Sequence, residues 1–398
     1  MLHLLVSSGE VSGDLQGSLL VQALFEEAKA RGIALRITAL GGRLMREAGA
    51  QLLGDTTAIG AIGLWEALPF ILPTLKLQRR VRRWLRREHP DGVVLIDYMG
   101  PNASLGMQLK RLDPERPIAY YIAPQEWAYR IGEGGSTRLI GFSDRILAVF
   151  PQEARFYAAR GARVTWVGHP LLDTLPGLPG RAQARAALGL AEDARLLLLL
   201  PASRRQELRY LLPPLAEAAA RLQRRLTGLR VVLPVAQEAF TPAIQAVLDR
   251  SGLDAELLSP GQAKARRELL LAAADLALTK SGTVNLELAL RGVPQVVGYR
   301  LNPITAWLAK HLLRFSVAFI SPVNLVMDDA LVPELLQDHL SADAVEALAF
   351  SLLSERPLRQ RMDRGYRELR RRLGEPGVTR RAAAAVLDMT LAAVAKRG

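Results

Sequence analysis

The chain has 398 residues, 49% hydrophobic and 23% charged, enough for two separate cores and incompatible with a disordered polymer. It contains no cysteine, which excludes disulfides, cysteine-ligated zinc and a thiol nucleophile. Its net charge of +13 is clustered, with seven basic residues and no acid in KLQRRVRRWLRR at 76–87 and a second dense set over 356–397. This pattern suits nucleic acid or an anionic membrane surface, or simply Arg-rich helix faces in water.

In chain order, the opening MLHLLVSSGE turns polar after six residues and reads as a first strand, too short for a secretion signal. Further strands are expected near 34–39, 92–96, 118–122, 145–149 and 163–167, with helical patterns between them at 14–30, 102–112 and 151–160. The longest apolar stretch, Ala58 to Leu77, is interrupted by Glu66, Pro69, Pro73 and Lys76, so a membrane-spanning helix is not expected. Within it Trp65, Leu68, Phe70, Ile71 and Leu72 lie just ahead of the basic run. Apolar residues beside a polybasic helix suit contact with anionic lipid, and core packing is the competing explanation. Pro170 to Gly180 is rich in Pro and Gly and reads as a linker. The second half restarts with strands near 196–200, 229–234, 255–258, 275–278 and 294–298 and helices near 205–226, 239–251, 264–273 and 283–291. Short apolar strands alternating with helices predict parallel sheets covered on both faces. The expected architecture is α/β, with two doubly wound Rossmann-like domains facing across a cleft: 1–170, 181–375, and a C-terminal helix at 376–398.

Four loops carry candidate chemistry. Gly9-Glu10-Val11-Ser12-Gly13-Asp14 follows the first strand, and its glycines permit close approach of backbone to ligand or simply a tight turn. It is not a GxGxxG fingerprint, and no P-loop occurs. Asp97 directly follows the strand 93–96, where a carboxylate points out of the sheet's carboxyl end; it is a candidate general base or a cap for the next helix. Pro201-Ala202-Ser203-Arg204-Arg205-Gln206-Glu207 follows a five-leucine strand, and Arg204 there could clamp a diphosphate, with Arg205 as competitor. Ser281-Gly282-Thr283 opens a helix after strand 276–278, offering amides and a helix dipole to a phosphate. Glu287 shares a helix face with Thr283, so its carboxylate could accept ribose hydroxyls; an ordinary helix start is the alternative. No two of the five histidines stand at metal-ligand spacing, and no Asp-x-Asp triplet offers a magnesium-diphosphate site.

Jointly, the order and spacing of these segments resemble the lipid-A-disaccharide synthases, inverting glycosyltransferases of the GT-B fold. The resemblance runs through GEVSGD at 9–14, IDYMGPN at 96–102, Pro124 to Arg130, VGHPLLD at 167–173, PASRRQE at 201–207, SGTVNLE at 281–287, VGYR at 297–300, WLAK at 307–310 and Asn324-Leu325. It implies joining of a UDP-linked diacylglucosamine to a diacylglucosamine 1-phosphate with release of UDP, and no cofactor beyond these substrates. It implies that Asp97 and Arg204 are the essential catalytic pair. It implies that Glu10, Ser12, Gly13, Ser203, Ser281, Gly282, Thr283, Glu287 and Asn324 surround the nucleotide or the cleft. It also implies peripheral association with the cytoplasmic side of the inner membrane, a lipid-facing patch near 62–77, and a homodimer. Departures are Tyr98-Met99-Gly100-Pro101 after Asp97, Ala202 in place of glycine, and Gln125-Glu126 before Trp127; they bear on acyl and acceptor preference. Another UDP-sugar transferase or epimerase is the nearest alternative. A basic nucleic-acid-binding protein is a third, for which no RNP, KH or zinc-finger pattern exists, so no nucleic-acid partner is expected.

Overall fold

A computed structural model of the chain describes residues 1–57, 71–97, 99–128, 134–175, 177, 179–191, 193–201, 205–302 and 318–397. The described residues form two compact units: Met1–Thr174 with Leu373–Gly398, and Leu175–Arg372.

In the first unit the strands are β1 (Leu2–Ser8), β2 (Leu35–Gly41), β3 (Gln51–Asp55), β4 (Gly92–Ile96), β5 (Ile118–Tyr121), β6 (Arg145–Ala148) and β7 (Val164–Trp166). The helices are α1 (Glu10–Ala30), α2 (Arg43–Glu47), α3 (Ile71–Leu85), α4 (Met99–Leu112), α5 (Gly134–Phe142) and α6 (Pro151–Ala158). All seven strands are parallel in the order β3-β2-β1-β4-β5-β6-β7. Every residue of β4 is buried, as expected where helices cover both faces. Leu95, Tyr120, Leu109 and Phe142 anchor the core between this sheet and α3, α4 and α5.

The second unit contains α7 (Arg181–Ala187), β8 (Arg195–Leu200), α8 (Arg205–Arg225), β9 (Leu229–Pro234), α9 (Thr241–Ser251), β10 (Ala255–Leu258) and α10 (Pro260–Ala273). These are followed by β11 (Leu276–Lys280), α11 (Thr283–Leu290), β12 (Gln295–Tyr299), α12 (Pro322–Met327), β13 (Glu334–Leu336), α13 (Ala342–Ser354) and α14 (Arg356–Leu373). Its six parallel strands run β10-β9-β8-β11-β12-β13. Leu196, Leu198, Val232, Leu271 and Ala277 form its core. The α/β class with two doubly wound parallel sheets is thus as the alternating pattern predicts. Two strands escaped that reading: β3, in which only Leu53 is buried, and β13, only three residues long.

The chain returns to the first unit at Leu373, and the segment Val167–Asp173 receives it. His169 N–H donates to Leu373 O (2.9 Å), and the Arg381 guanidinium donates twice to Val167 O (3.0 and 2.8 Å). Gly168 has φ +88°, and a Cβ there would stand 3.0 Å from Leu373 O, so a side chain is excluded twice over. The last helix, α15 (Val378–Arg397), then packs along α1. Its start is capped from a distance: Asp173 accepts from the amides of Gly377 (2.6 Å), Val378 (3.0 Å) and Thr379 (2.8 Å) and from the Thr379 hydroxyl (2.8 Å). Burial pushes the Asp173 carboxyl up, but these donors outweigh it and hold its pKa below the usual carboxylate value.

A carboxyl with a depressed folded-state pKa stabilises above the unfolded value of about 4, and that contribution is lost as pH falls through the folded pKa. Asp173→Ala is therefore expected to cost about 1–2 kcal/mol of unfolding free energy at neutral pH. The gap from wild type should close as pH falls below about 4. Urea denaturation at several pH values checks this; a gap that is the same at neutral and acid pH would refute the cap.

Candidate functional site

In a doubly wound sheet, ligands bind outside the carboxyl ends of the strands at the point where strand order reverses. In the first unit that point lies between β1 and β4, and in the second between β8 and β11. The four loops singled out from sequence leave these four strands: 9–14 follows β1, 97–102 follows β4, 201–207 follows β8, and 281–283 follows β11.

At the first crevice, Ser12 is exposed on the first turn of α1, and Gly13 packs so that a Cβ would lie 3.2 Å from that of Ser8. Glu10 begins α1, but its side chain lies outside the described residues. Asp14 does not serve its own helix. Its buried carboxylate accepts from the amides of Gly42 (2.7 Å), Leu44 (3.0 Å) and Met45 (3.2 Å), capping the short helix α2.

Asp97 is exposed and takes φ +47°, the left-handed region. Such a conformation costs about 1–3 kcal/mol for a residue with a side chain, and it persists only when its surroundings impose it. Three buried groups do so. The Asn102 carboxamide donates to Ile96 O (3.0 Å) and to Asp97 O (2.9 Å), and its own oxygen accepts from the Ser7 hydroxyl (2.8 Å) on β1. The Tyr120 hydroxyl donates to Asp97 O at 2.6 Å; burial keeps this phenol protonated and therefore a donor. Asp97 N–H extends the ladder to Tyr121 O (3.0 Å). The neighbouring strand ends in the same way: Ile122, β-branched, has φ +58°. Behind it the Glu153 carboxyl accepts from Ala123 (3.1 Å), Val149 (2.9 Å) and Phe150 (3.2 Å) amides. Burial lifts Glu153 to about 8 despite those donors. His169 is buried and pushed down to about 3 by burial; its Nδ1 accepts from Leu171 N–H (3.3 Å).

At the second crevice, Ser203 and Arg204 lie outside the described residues, and α8 begins at Arg205. The Ser281-Gly282-Thr283 turn is held from beneath by Asn285, which is fully buried. Its Oδ1 accepts from Gly282 N–H (2.8 Å), and its Nδ2 donates to Lys280 O (3.1 Å) and Gln295 Oε1 (2.9 Å). Thr283 is exposed at the helix start. Glu287, one turn on, is mostly buried and ion-paired through Oε2 with Arg267 of α10. The Ser281 hydroxyl donates to Ile320 O (2.9 Å). Ile320 and Ser321 amides donate to Glu334 of β13 (2.8 Å each), and Glu334 also accepts from Asn324 Nδ2 (2.8 Å). Asn324 itself is buried and commits its amide to Val332 as well, donating to Val332 O (2.8 Å) and accepting from Val332 N–H (2.9 Å). It acts here through Glu334, whose pKa burial raises. Lys280, the last residue of β11, pairs with Glu207 of α8 at 2.8 Å, bridging the two elements that flank the crevice.

Sequence reading missed Asn285, Glu153, Glu334 and Lys280. Only Lys280 left a local signal, a single charge ending the apolar run Leu276–Thr279. Of the expected membrane-contact residues, Trp65, Leu68 and Phe70 lie outside the described residues, as do the side chains of Ile71 and Leu72 at the start of α3. Further along α3, Val81 and Leu85 are buried, while Arg79, Arg80, Arg82, Arg83, Arg86 and Arg87 are exposed. Among the described residues, no carboxylate pairs with any of these six arginines. An apolar cavity of about 60 Å³ opens between α3 and α4, lined by Leu40, Leu77, Val81, Leu105 and Asn102. Among the described residues, no helix is long and apolar enough to cross a membrane, and no group of three His, Asp or Glu is placed to hold a metal.

The lipid-A-disaccharide synthetase family model matches residues 4–389. A lipid-A-disaccharide synthase of Prochlorococcus marinus (strain MIT 9313) is 59% identical over 390 residues, covering 98% of this chain and all of that protein. Among solved structures, UDP-GlcNAc 2-epimerase from Neisseria meningitidis, bound to UDP-GlcNAc, superposes with TM-score 0.65 at 12% identity and covers 98% of this chain and 100% of that one. A glycosyltransferase from Rickettsia africae ESF-5 gives 0.56 at 12% identity over 98% of each chain. At these identities the two structures establish the GT-B fold alone.

Asn102→Ala removes four side-chain hydrogen bonds, one of them a long one to Ser7 O (3.5 Å), and leaves the Asp97 conformation held only by Tyr120 and the strand ladder. It should lower stability by about 1–3 kcal/mol, whereas Ser7→Ala, which removes only the anchor on β1, should cost about 1 kcal/mol. Denaturant midpoints of the two variants check the ranking; an unchanged midpoint for Asn102→Ala would show that the loop holds itself.

Proposed function

The chain belongs to the lipid-A-disaccharide synthase family, and on that premise we propose how its two crevices divide the chemistry. It is a glycosyltransferase of lipid A biosynthesis, taking a nucleotide-sugar donor and a sugar-phosphate acceptor. The finer reading is that UDP-2,3-diacylglucosamine is the donor and 2,3-diacylglucosamine 1-phosphate the acceptor. The products are lipid A disaccharide 1-phosphate and UDP.

The acceptor is assigned to the first unit and the donor to the second. The acceptor's 6-hydroxyl oxygen attacks the anomeric carbon from the face opposite UDP. The new C–O bond forms as the bond to the diphosphate oxygen breaks and its electron pair leaves with UDP. Asp97 accepts the hydroxyl proton, assistance typically worth ~10²–10⁴ in rate. Arg204, Ser203 and the amides of Ser281 and Thr283 meet the growing charge on UDP, so the reading calls on no cofactor. Glu287 addresses the ribose with the oxygen that Arg267 does not hold. Glu10, Ser12 and Gly13 line the acceptor side, and Asn324 positions the donor turn through Glu334. The observation that carries this reading is that all four loops leave strands at the reversal points of their sheets.

The apolar cavity beside Asn102 supports acylated ligands. Six exposed arginines on α3 and just past its end, with no carboxylate partner among the described residues, support attachment to an anionic surface, at about 1 kcal/mol per charge close to the lipid. With Trp65, Leu68, Phe70, Ile71 and Leu72 they are the basis for proposing peripheral attachment at the cytoplasmic face of the inner membrane. Assembly as a homodimer rests on the family resemblance.

Asp97→Asn should cut turnover by about 10²–10⁴ while leaving UDP affinity unchanged. Arg204→Ala should lower turnover and weaken UDP as well. The measurement is UDP release with both acylated substrates present. Near-wild-type turnover in Asp97→Asn removes the base assignment, and UDP release that does not require the acceptor points to a different reaction.

A further inference from the structure

We infer that Lys280 is a diphosphate-binding residue of the donor site, held ready by Glu207. The inference rests on assigning the nucleotide donor to the second unit.

Lys280 closes a strand whose other four residues are fully buried, and it lies at the reversal point between β8 and β11, where a doubly wound sheet receives its ligand. Its side chain runs beside the turn that opens α11: a Cβ placed on Gly282 would lie 4.0 Å from Lys280 Cε. The lysine stem therefore passes beside the Ser281-Gly282-Thr283 turn, and its ammonium reaches on to Glu207. Opposite stands Glu207 in the first turn of α8, where an acidic group is favoured by the helix dipole. Lys280 Nζ and Glu207 Oε1 meet at 2.8 Å, with side chains 20% and 22% exposed.

Stability is a poor account of this pair. Bringing two charges partly out of water offsets most of their attraction, and an apolar pair in their place is often no worse. A binding role accounts for it better. Turn amides supply only partial positive charges, whereas a nucleoside diphosphate carries full negative ones. An ammonium has three donors and can hold a carboxylate and a phosphate oxygen at once. Glu207 fixes the lysine's direction and neutralises it while the site is empty; the arriving diphosphate then shares it. Lysine acts here as a point charge, which suits a diphosphate that must later leave.

The test is calorimetric binding of UDP and of uridine to the full-length protein, comparing wild type with Lys280→Met, Lys280→Arg and the double variant Glu207→Gln/Lys280→Met. The double variant replaces the ion pair by neutral groups, so an unpaired carboxylate cannot be blamed for a loss. Lys280→Met and the double variant should each bind UDP about 10- to 100-fold more weakly. Uridine should bind all four proteins alike, and Lys280→Arg should keep most of the UDP affinity. The inference is overturned if the double variant binds UDP within about twofold of wild type, well short of a charged hydrogen bond's contribution. It is also overturned if uridine and UDP weaken in proportion, since the lysine would then only support the fold. A wild-type protein that takes up no UDP would sink the donor assignment itself, and this residue's role with it.

Discussion

A single carboxamide decides what the first crevice can present. Asp97 sits in the left-handed region, where the chain would not stay unaided, and Asn102 holds the two carbonyls on either side of the turn from Ile96. The Ser7 hydroxyl in turn fixes which end of that carboxamide faces which way. Since Ser7 belongs to β1 and Ile96 to β4, the contact ties together the two strands between which the sheet reverses. A free hinge at Asp97 would let the carboxylate wander. The network fixes the backbone from which the carboxylate projects, as the proposed role in proton transfer requires.

The second crevice repeats the device with different residues. Asn285, like Asn102, stands in the beginning of the helix that follows a crevice strand, is buried, and reaches back to the last carbonyl of that strand. It also occupies the Gly282 amide, so the turn's shape is set internally before any ligand arrives. Ser281 is tied separately to Ile320, and through the Ile320 and Ser321 amides to Glu334. Preorganisation of this kind lowers the ordering cost of binding, because the turn is already fixed before a ligand reaches it. Asn324 belongs to this support. Its carboxamide is spent on Val332 and Glu334, so its influence on a ligand runs through the position of the Ser281 turn.

The fold was legible because its signal is local. Continuous apolar strands of four to seven residues, separated by helical periods, have few solutions other than parallel sheets with covered faces. The positions of the site loops followed from the same pattern, since each ends a strand. What holds those loops was not legible, because the partners are remote: Ser7 meets Asn102 across 95 positions, and Asp14 serves a helix some thirty residues on. Nothing local distinguishes Asp14 capping α2 from Asp14 capping its own helix. Likewise the VGHPLLD segment reads as a junction by composition. Its use as the dock for the returning chain depends on Leu373 and Arg381, more than two hundred residues later. Of the four edge strands, β3 and β13 were lost for a different reason, since so few of their positions are buried and apolar that no period shows.

The charge excess divides unequally once the side chains are placed. Many arginines of the second unit are locally neutralised: Arg181 and Arg185 share Asp275, Arg221 lies between Glu217 and Asp343, and Arg291 pairs with Glu268. The α3 arginines have no such partners among the described residues, so their field extends into solvent over a Debye length of about 8 Å at physiological salt. This difference matters for the function proposed above, in which the substrates carry phosphate and the surface that holds their acyl chains is also anionic. An unneutralised face attracts the surface strongly and without regard to shape. A cation such as Lys280, already balanced by Glu207, adds little to that long-range pull and acts only on a group that reaches it. Pairing the site's cation while leaving the helix face bare separates attachment from recognition.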